Sequence, residues 1–184
     1  MISRQATPSD ISGILALQKL YLHRSLSPEE RKSGFVTTPF SREQIQNRVE
    51  NNGLFVTEEG GQIIAYVFAG KWEFFEQWPI FPYMTSRFSN LKFQDFDIST
   101  ASTFQYGPVC VDLAYRGKKV FNAVFEEMRL EWRKKFPLSI TFINSVNEVS
   151  VKAHAKLGWE VIDRFSFNDN QYLTLAFDMN KSVL

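Results

Sequence analysis

Hydrophobic and polar positions divide the chain into short alternating or helical stretches. Ile2 to Gln5 is brief and extended. Thr7-Pro8-Ser9-Asp10 then reads as a helix start, with Thr7 as cap, Pro8 in the first turn and an acid three residues after the cap. Ile11, Ile14, Leu15, Gln18 and Leu22 follow at helical spacing and define one apolar face. Ser25 to Pro39 is polar and broken by Pro28, Gly34 and Pro39, so it predicts loop with one helical turn at Pro28–Arg31. Ser41-Arg42-Glu43-Gln44 is a capping box that opens a short helix through Ile45 and Val49. Leu54–Thr57 and Gln62–Ala69 flank the turn residues Glu58-Glu59-Gly60-Gly61 and predict an antiparallel hairpin.

The stretch from Gly70 to Thr103 has no clear period. It holds Trp72, Phe74, Phe75, Trp78, Phe81, Tyr83, Phe88, Phe93 and Phe96, with Pro79 and Pro82 breaking any long helix. This aromatic density requires burial against the domain, a ligand or a second subunit, so a homodimer stays open. Phe104 to Val111 returns to a strand pattern, interrupted by Gly107-Pro108, where a bulge or bend is expected. A helix is predicted from about Lys118 to Lys134, with Val120, Phe121, Val124, Phe125, Met128 and Trp132 at helical spacing and Pro137 beyond its end. Leu138–Ile143 is a strand, Asn147 caps a helix ending near Gly158, and Trp159–Phe167 and Gln171–Phe177 are strands about an Asn168-Asp169-Asn170 turn. No repeat or linker separates these pieces. Residues 1–184 therefore read as one α/β domain with an aromatic-rich insertion over 70–103.

Composition narrows the function classes. The 21 basic and 20 acidic residues nearly cancel, which gives no global reason to expect nucleic acid or an anionic membrane as partner. The longest apolar run, Ile63 to Ala69, is too short to span a bilayer, and the first ten residues lack the pattern of a secretory signal. One cysteine, Cys110, excludes an intrachain disulfide, and two separated histidines argue against a zinc site. The expectation is a reduced, metal-free cytoplasmic protein.

One local exception carries chemistry. After the strand ending Val109-Cys110-Val111, the loop Arg116-Gly117-Lys118-Lys119 feeds a helix through Val120 and Phe121. A strand-to-helix junction presents unpaired N–H groups and the positive end of a helix dipole. The three cations there suit an anion such as phosphate; the competing reading is a solvated basic helix start.

The window Arg116 to Phe121 resembles the acetyl-CoA signature of the GNAT superfamily, an Arg or Gln followed by spaced glycines. Lys119 stands where the first signature Gly is expected and Phe121 where the second small residue is expected. The late segment Asn147 to Trp159 is similar to a second family motif: Asn147, the small residue Ser150, a Tyr or His at 154, then Lys156-Leu157-Gly158 and an aromatic. The motifs lie in the family's order.

The resemblance implies a central, mixed but mostly antiparallel twisted sheet of about seven strands flanked by helices. That sheet would splay between the Phe104–Val111 and Leu138–Ile143 strands. The pantetheine arm of acetyl-CoA would lie in the split against main-chain groups of Val109, Cys110 and Val111. Its pyrophosphate would rest on amides of Arg116, Gly117, Lys118, Lys119, Val120 and Phe121, with Asn147 and Ser150 as further contacts. The implied activity is acetyl transfer to a primary amine, of a small molecule or a peptide, by direct attack in a ternary complex. His154 stands where the family places an acid for the departing thiolate, with an ordinary imidazole pKa of about 6.5. Tyr106, on the strand before the bend, is a second candidate for proton handling, whereas Glu73, Glu76 and Asp97 read as solvated groups. Cys110 reads as an inert buried thiol, and Asp112 as the residue that orders the following loop. The alternative reading is a GNAT-fold protein without turnover that binds CoA or a protein partner, for which Lys119 and Phe121 speak.

Overall fold

The computed structural model describes residues 1–184. In chain order the elements are β1 (Ile2–Gln5), α1 (Ile11–Tyr21), α2 (Pro28–Arg31), α3 (Arg42–Glu50), β2 (Leu54–Glu59), β3 (Gln62–Gly70), α4 (Trp72–Phe75), α5 (Ile80–Thr85), β4 (Lys92–Phe93) and β5 (Phe96–Asp97). They continue with β6 (Thr103–Val111), α6 (Val120–Trp132), β7 (Leu138–Asn144), α7 (Glu148–Leu157), β8 (Glu160–Phe167) and β9 (Asn170–Asp178). Seven strands form one mixed sheet in the order β1-β2-β3-β6-β7-β9-β8, and β4 and β5 make a separate small hairpin. No helix is long and apolar enough to cross a membrane. By contacts the chain falls into two compact units: 1–69 with 107–131 and 182–184, and 70–106 with 132–181.

In the first unit, β1, β2 and β3 pair antiparallel. Every residue of β3 after Gln62 is buried, as its unbroken apolar run requires of a strand covered on both faces. Ile14 and Leu17 of α1 and Ile45 of α3 are buried with it. Gln18 lies on the apolar face of α1 because its amide imitates a backbone pair. Its Nε2 donates to the Phe40 carbonyl at 3.0 Å and its Oε1 accepts the Phe40 N–H at 2.9 Å. Phe40 in turn stacks on Phe68, with ring centroids 4.5 Å apart. Asp10 fulfils its predicted capping role by accepting the Thr7 N–H at 2.7 Å, although the first turn, Pro8–Asp10, is a 3-10 turn.

In the second unit, β6 pairs parallel with β7, β7 antiparallel with β9, and β9 antiparallel with β8. The β6–β7 register runs only from Thr103↔Leu138 to Gln105↔Ile140, three residues of strands nine and seven residues long. Side chains alternate across a strand, so this register sends Phe104 and Tyr106 to one face and Ile140 and Phe142 to the other. The first face meets Trp132, Phe136 and α7. The second is covered by the aromatic stretch: Phe81 meets Phe142 at 5.2 Å, Tyr83 meets Phe165 and Phe167, and Arg87 clasps Asp163 through bonds of 2.6 and 3.0 Å. Trp72 donates its indole N–H to the Thr103 carbonyl at 3.1 Å. Burial inside its own unit therefore accounts for Trp72, Phe75, Phe81, Phe88 and Phe93.

Candidate functional site

The junction from β6 to α6 is built by backbone conformation. Asp112 accepts the Ala114 N–H at 2.9 Å and so orders the 3-10 turn Leu113–Tyr115, as expected. Gly117 then adopts φ +77° and Lys119 φ +61°, both left-handed. Those two residues turn the chain so sharply that α6 begins at Val120, not at the predicted Lys118. A side chain on Gly117 would meet nothing within 4 Å, so only the backbone angle requires glycine there, and the space beside it is open. Lys119 holds the same left-handed region with a Cβ, at a cost of roughly 1–2 kcal/mol. Gly117, Lys118 and Lys119 are exposed, while Val120 is buried. Phe121 is half-buried, its ring centroid 6.4 Å from that of Phe125 one turn on.

The first-turn amides of a helix have no intrahelical acceptor, so the N–H groups at the start of α6 and the ammonium groups of Lys118 and Lys119 give this junction a net positive face. Arg116 differs from its two neighbours. Its Nε donates to the Val111 carbonyl at 2.9 Å, its Nη1 donates to the Ser33 carbonyl, and its guanidinium carbon lies 5.2 Å from the centre of the Tyr21 ring. Tyr21 also accepts the Leu113 N–H on its hydroxyl at 2.8 Å. Sequence reasoning missed Tyr21. Its one signal is position, seven residues after Ile14 on the same face of α1.

Further back on β6, Val109 and Val111 are half-buried and Cys110 is buried. Burial pushes the Cys110 thiol up to about 12. The thiol therefore keeps its proton at neutral pH, which makes it a poor nucleophile.

The second cluster lies in the other unit, along α7. Asn147 caps the helix, its Oδ1 accepting the Ser150 N–H at 3.3 Å. His154 Nδ1 donates to the Ser150 carbonyl at 2.7 Å and lies 3.4 Å from its Oγ. The imidazole meets the Tyr106 ring edge-on, with centroids 5.5 Å apart, and Trp159 touches both. Gly158 ends the helix at φ +96°, as the motif requires. Asn147, Ser150, His154 and Tyr106 are thus brought together. His154 is only 3% exposed, and that burial pushes it down to about 4. The ordinary imidazole pKa expected from sequence is therefore corrected: at neutral pH the ring is uncharged. Burial likewise pushes the Tyr106 hydroxyl well above its usual pKa, so it keeps its proton.

The same unit has an open depression between α4 and α5. Trp72 and Phe81 form part of its wall, and Glu73 and Glu76, one helical turn apart, line it with Thr85.

No family model matches the sequence. No curated protein matches it either. Solved structures do. A polyamine N-acetyltransferase of Drosophila melanogaster superposes with a TM-score of 0.67 at 16% identity, covering 96% of this chain and 99% of that one. A ribosomal-protein-alanine N-acetyltransferase of Brucella melitensis gives 0.63 at 18% identity over 97% and 99%. The yncA protein of Salmonella typhimurium, solved with its cofactor acetyl-CoA, gives 0.65 at 16% over 98% and 95%. Strand order, the short parallel β6–β7 register and these near-complete superpositions agree: the chain has the fold of the GNAT acyl-CoA N-acyltransferases.

Proposed function

We propose that the protein is an N-acetyltransferase that moves the acetyl group of acetyl-CoA to a primary amine by direct attack in a ternary complex. The observation that carries this reading is the backbone of the β6–α6 junction. Lys119 replaces the signature glycine yet keeps a left-handed φ of +61°, so the turn that frees the helix-start amides survives the substitution. On this reading the amides of the segment Arg116 to Phe121 hold the pyrophosphate, first those of Gly117, Lys119, Val120 and Phe121, since the Arg116 and Lys118 N–H groups donate at 3.4 Å to the Leu113 and Tyr115 carbonyls. Lys118 and Lys119 add charge. Main-chain groups of Val109, Cys110 and Val111 serve the pantetheine arm, and Asn147 and Ser150 remain proposed contacts. Acetyl-CoA supplies an activated acyl carbon as a thioester: the amine nitrogen bonds to it, the C–S bond breaks, and a proton must pass from nitrogen to sulfur.

Tyr106 and His154 are the residues proposed to handle that proton. Tyr106, whose hydroxyl keeps its proton, is the proposed donor to the departing sulfur, and the neutral His154, its Nδ1–H given to Ser150, meets the Tyr106 ring edge-on and holds it in place. The carboxylates of Glu73 and Glu76, which line the depression with Trp72 and Phe81, support an acceptor that carries a cationic group.

Calorimetric titration with acetyl-CoA, beside dephospho-CoA and ATP, tests the reading, followed by turnover on a panel of mono- and polyamines. Saturable binding that prefers acetyl-CoA, with acetylation of at least one amine, is expected. In the active protein, His154→Phe should lower kcat at least tenfold with little change in acetyl-CoA affinity. Absence of binding at millimolar acetyl-CoA would overturn the assignment.

A further inference from the structure

Arg116 is the most family-like residue of the phosphate loop, yet its side chain is committed elsewhere. Its Nε meets the Val111 carbonyl at 2.9 Å, its Nη1 meets the Ser33 carbonyl, and its guanidinium carbon lies over the Tyr21 ring, 5.2 Å from the centre. Neither acceptor is an anion. Tyr21 is placed to work with it, because its hydroxyl takes the Leu113 N–H at 2.8 Å, at the first residue of the turn that precedes the loop. The same tyrosine is tied through its backbone as well: its carbonyl accepts the Val36 N–H at 2.8 Å, and the Val36 carbonyl accepts the His23 N–H at 2.9 Å. Leu22 and Val36 form an isolated parallel bridge at this point.

We propose that Tyr21 and Arg116 are positioning residues that set the phosphate loop from outside it, and that the Arg116 side chain is not a phosphate ligand. Tyr21 fixes where the loop begins, at Leu113. Arg116 fixes its middle by spanning from the end of β6 to Ser33. Gly117 and Lys119 then need only hold their left-handed angles for the helix-start amides to converge. A planar guanidinium whose N–H donors fan out within its plane can reach both carbonyls at its edge while the cation lies over a ring, which an ammonium does not combine. The loop's contact with an anion falls to Lys118, Lys119 and the amides. This division rests on the reading that the loop receives acetyl-CoA. It adds that segment 22–36, remote in sequence, sets the affinity.

The test uses the full chain with two readouts, amide hydrogen exchange without cofactor and acetyl-CoA affinity at low and high salt. Tyr21→Phe keeps the ring and removes the acceptor for Leu113. Its Leu113 amide should exchange at least tenfold faster, amides of β7 and β9 should be unchanged, and acetyl-CoA should bind several-fold more weakly by the same factor at both salt concentrations. Arg116→Lys keeps the charge and loses the fork, so it should weaken binding as much as Arg116→Gln. Lys118→Ala should instead weaken binding mainly at low salt, as a screened charge contact does.

Full rescue by Arg116→Lys would overturn the proposal and return Arg116 to the role of phosphate ligand. Unchanged Leu113 exchange in Tyr21→Phe would overturn the part played by Tyr21. If the wild-type protein failed to bind acetyl-CoA, the functional reading would fall, while the exchange data would still decide whether Tyr21 and Arg116 order the loop.

Discussion

Lys119 shows how a signature can survive the loss of its own residue. Glycine is common at such positions because a left-handed backbone costs it nothing, whereas a side chain with a Cβ adds roughly 1–2 kcal/mol of strain. The lysine holds φ +61° all the same, and the helix that follows starts one residue later. Lys119→Gly should therefore stabilise the protein by about 1 kcal/mol, since part of the relieved strain is offset by the greater freedom of glycine in the unfolded chain. Urea unfolding would measure this, and a loss of stability would show that Lys119 is not strained. From sequence, the missing glycine was visible but its consequence was not. A residue type states a preference, and the fixed ends of the loop decide whether that preference is overruled. Tyr21 and Ser33 were silent for a related reason: their partners, Leu113 and Arg116, lie more than eighty residues away.

At the scale of elements, legibility tracked periodicity. The order of α1, α3, β2, β3, β6, α6, β7, α7, β8 and β9 could be read because each carries a period or a cap, and bounds moved by only one or two residues. The stretch from Gly70 to Thr103 could not be resolved in this way. Its two short helices and small hairpin are held by contacts with β6, β7 and β8, far off in sequence, and no local pattern encodes those. Its burial can be tested at Phe81, which is 3% exposed and packs on Phe75 and Phe142. Phe81→Ala should cost about 3–5 kcal/mol, the usual range for emptying a buried phenyl site. If the stretch merely lay on the surface, the loss measured by denaturant unfolding would stay below about 0.5 kcal/mol.

For the whole molecule, the buried histidine sets how stability depends on pH. His154 has a folded pKa of about 4, against an ordinary value of 6.5, and the cause is burial. Between those values the unfolded chain binds a proton that the folded chain refuses, so stability rises with pH across the window. The contribution is therefore complete above pH 6.5 and is lost progressively as pH falls toward 4. From pH 7 to pH 5 the loss amounts to about 2 kcal/mol, because one proton held only by the unfolded chain is worth roughly 1.4 kcal/mol for each pH unit crossed below 6.5. Asp10 acts lower on the scale. The Arg4 guanidinium, with bonds of 2.7 and 2.9 Å, holds its carboxyl down at about 2, so its contribution persists above its ordinary pKa of 3.8 and disappears only as pH falls through 2. The two groups thus act in separable ranges. Denaturant unfolding of wild type and His154→Gln at pH 7, 6 and 5 should give a steeper decline for the wild type. The variant starts from a lower stability at pH 7 and loses less on the way down. Parallel declines would mean that His154 takes up its proton in the folded state near pH 6.5, and that burial does not hold the ring neutral.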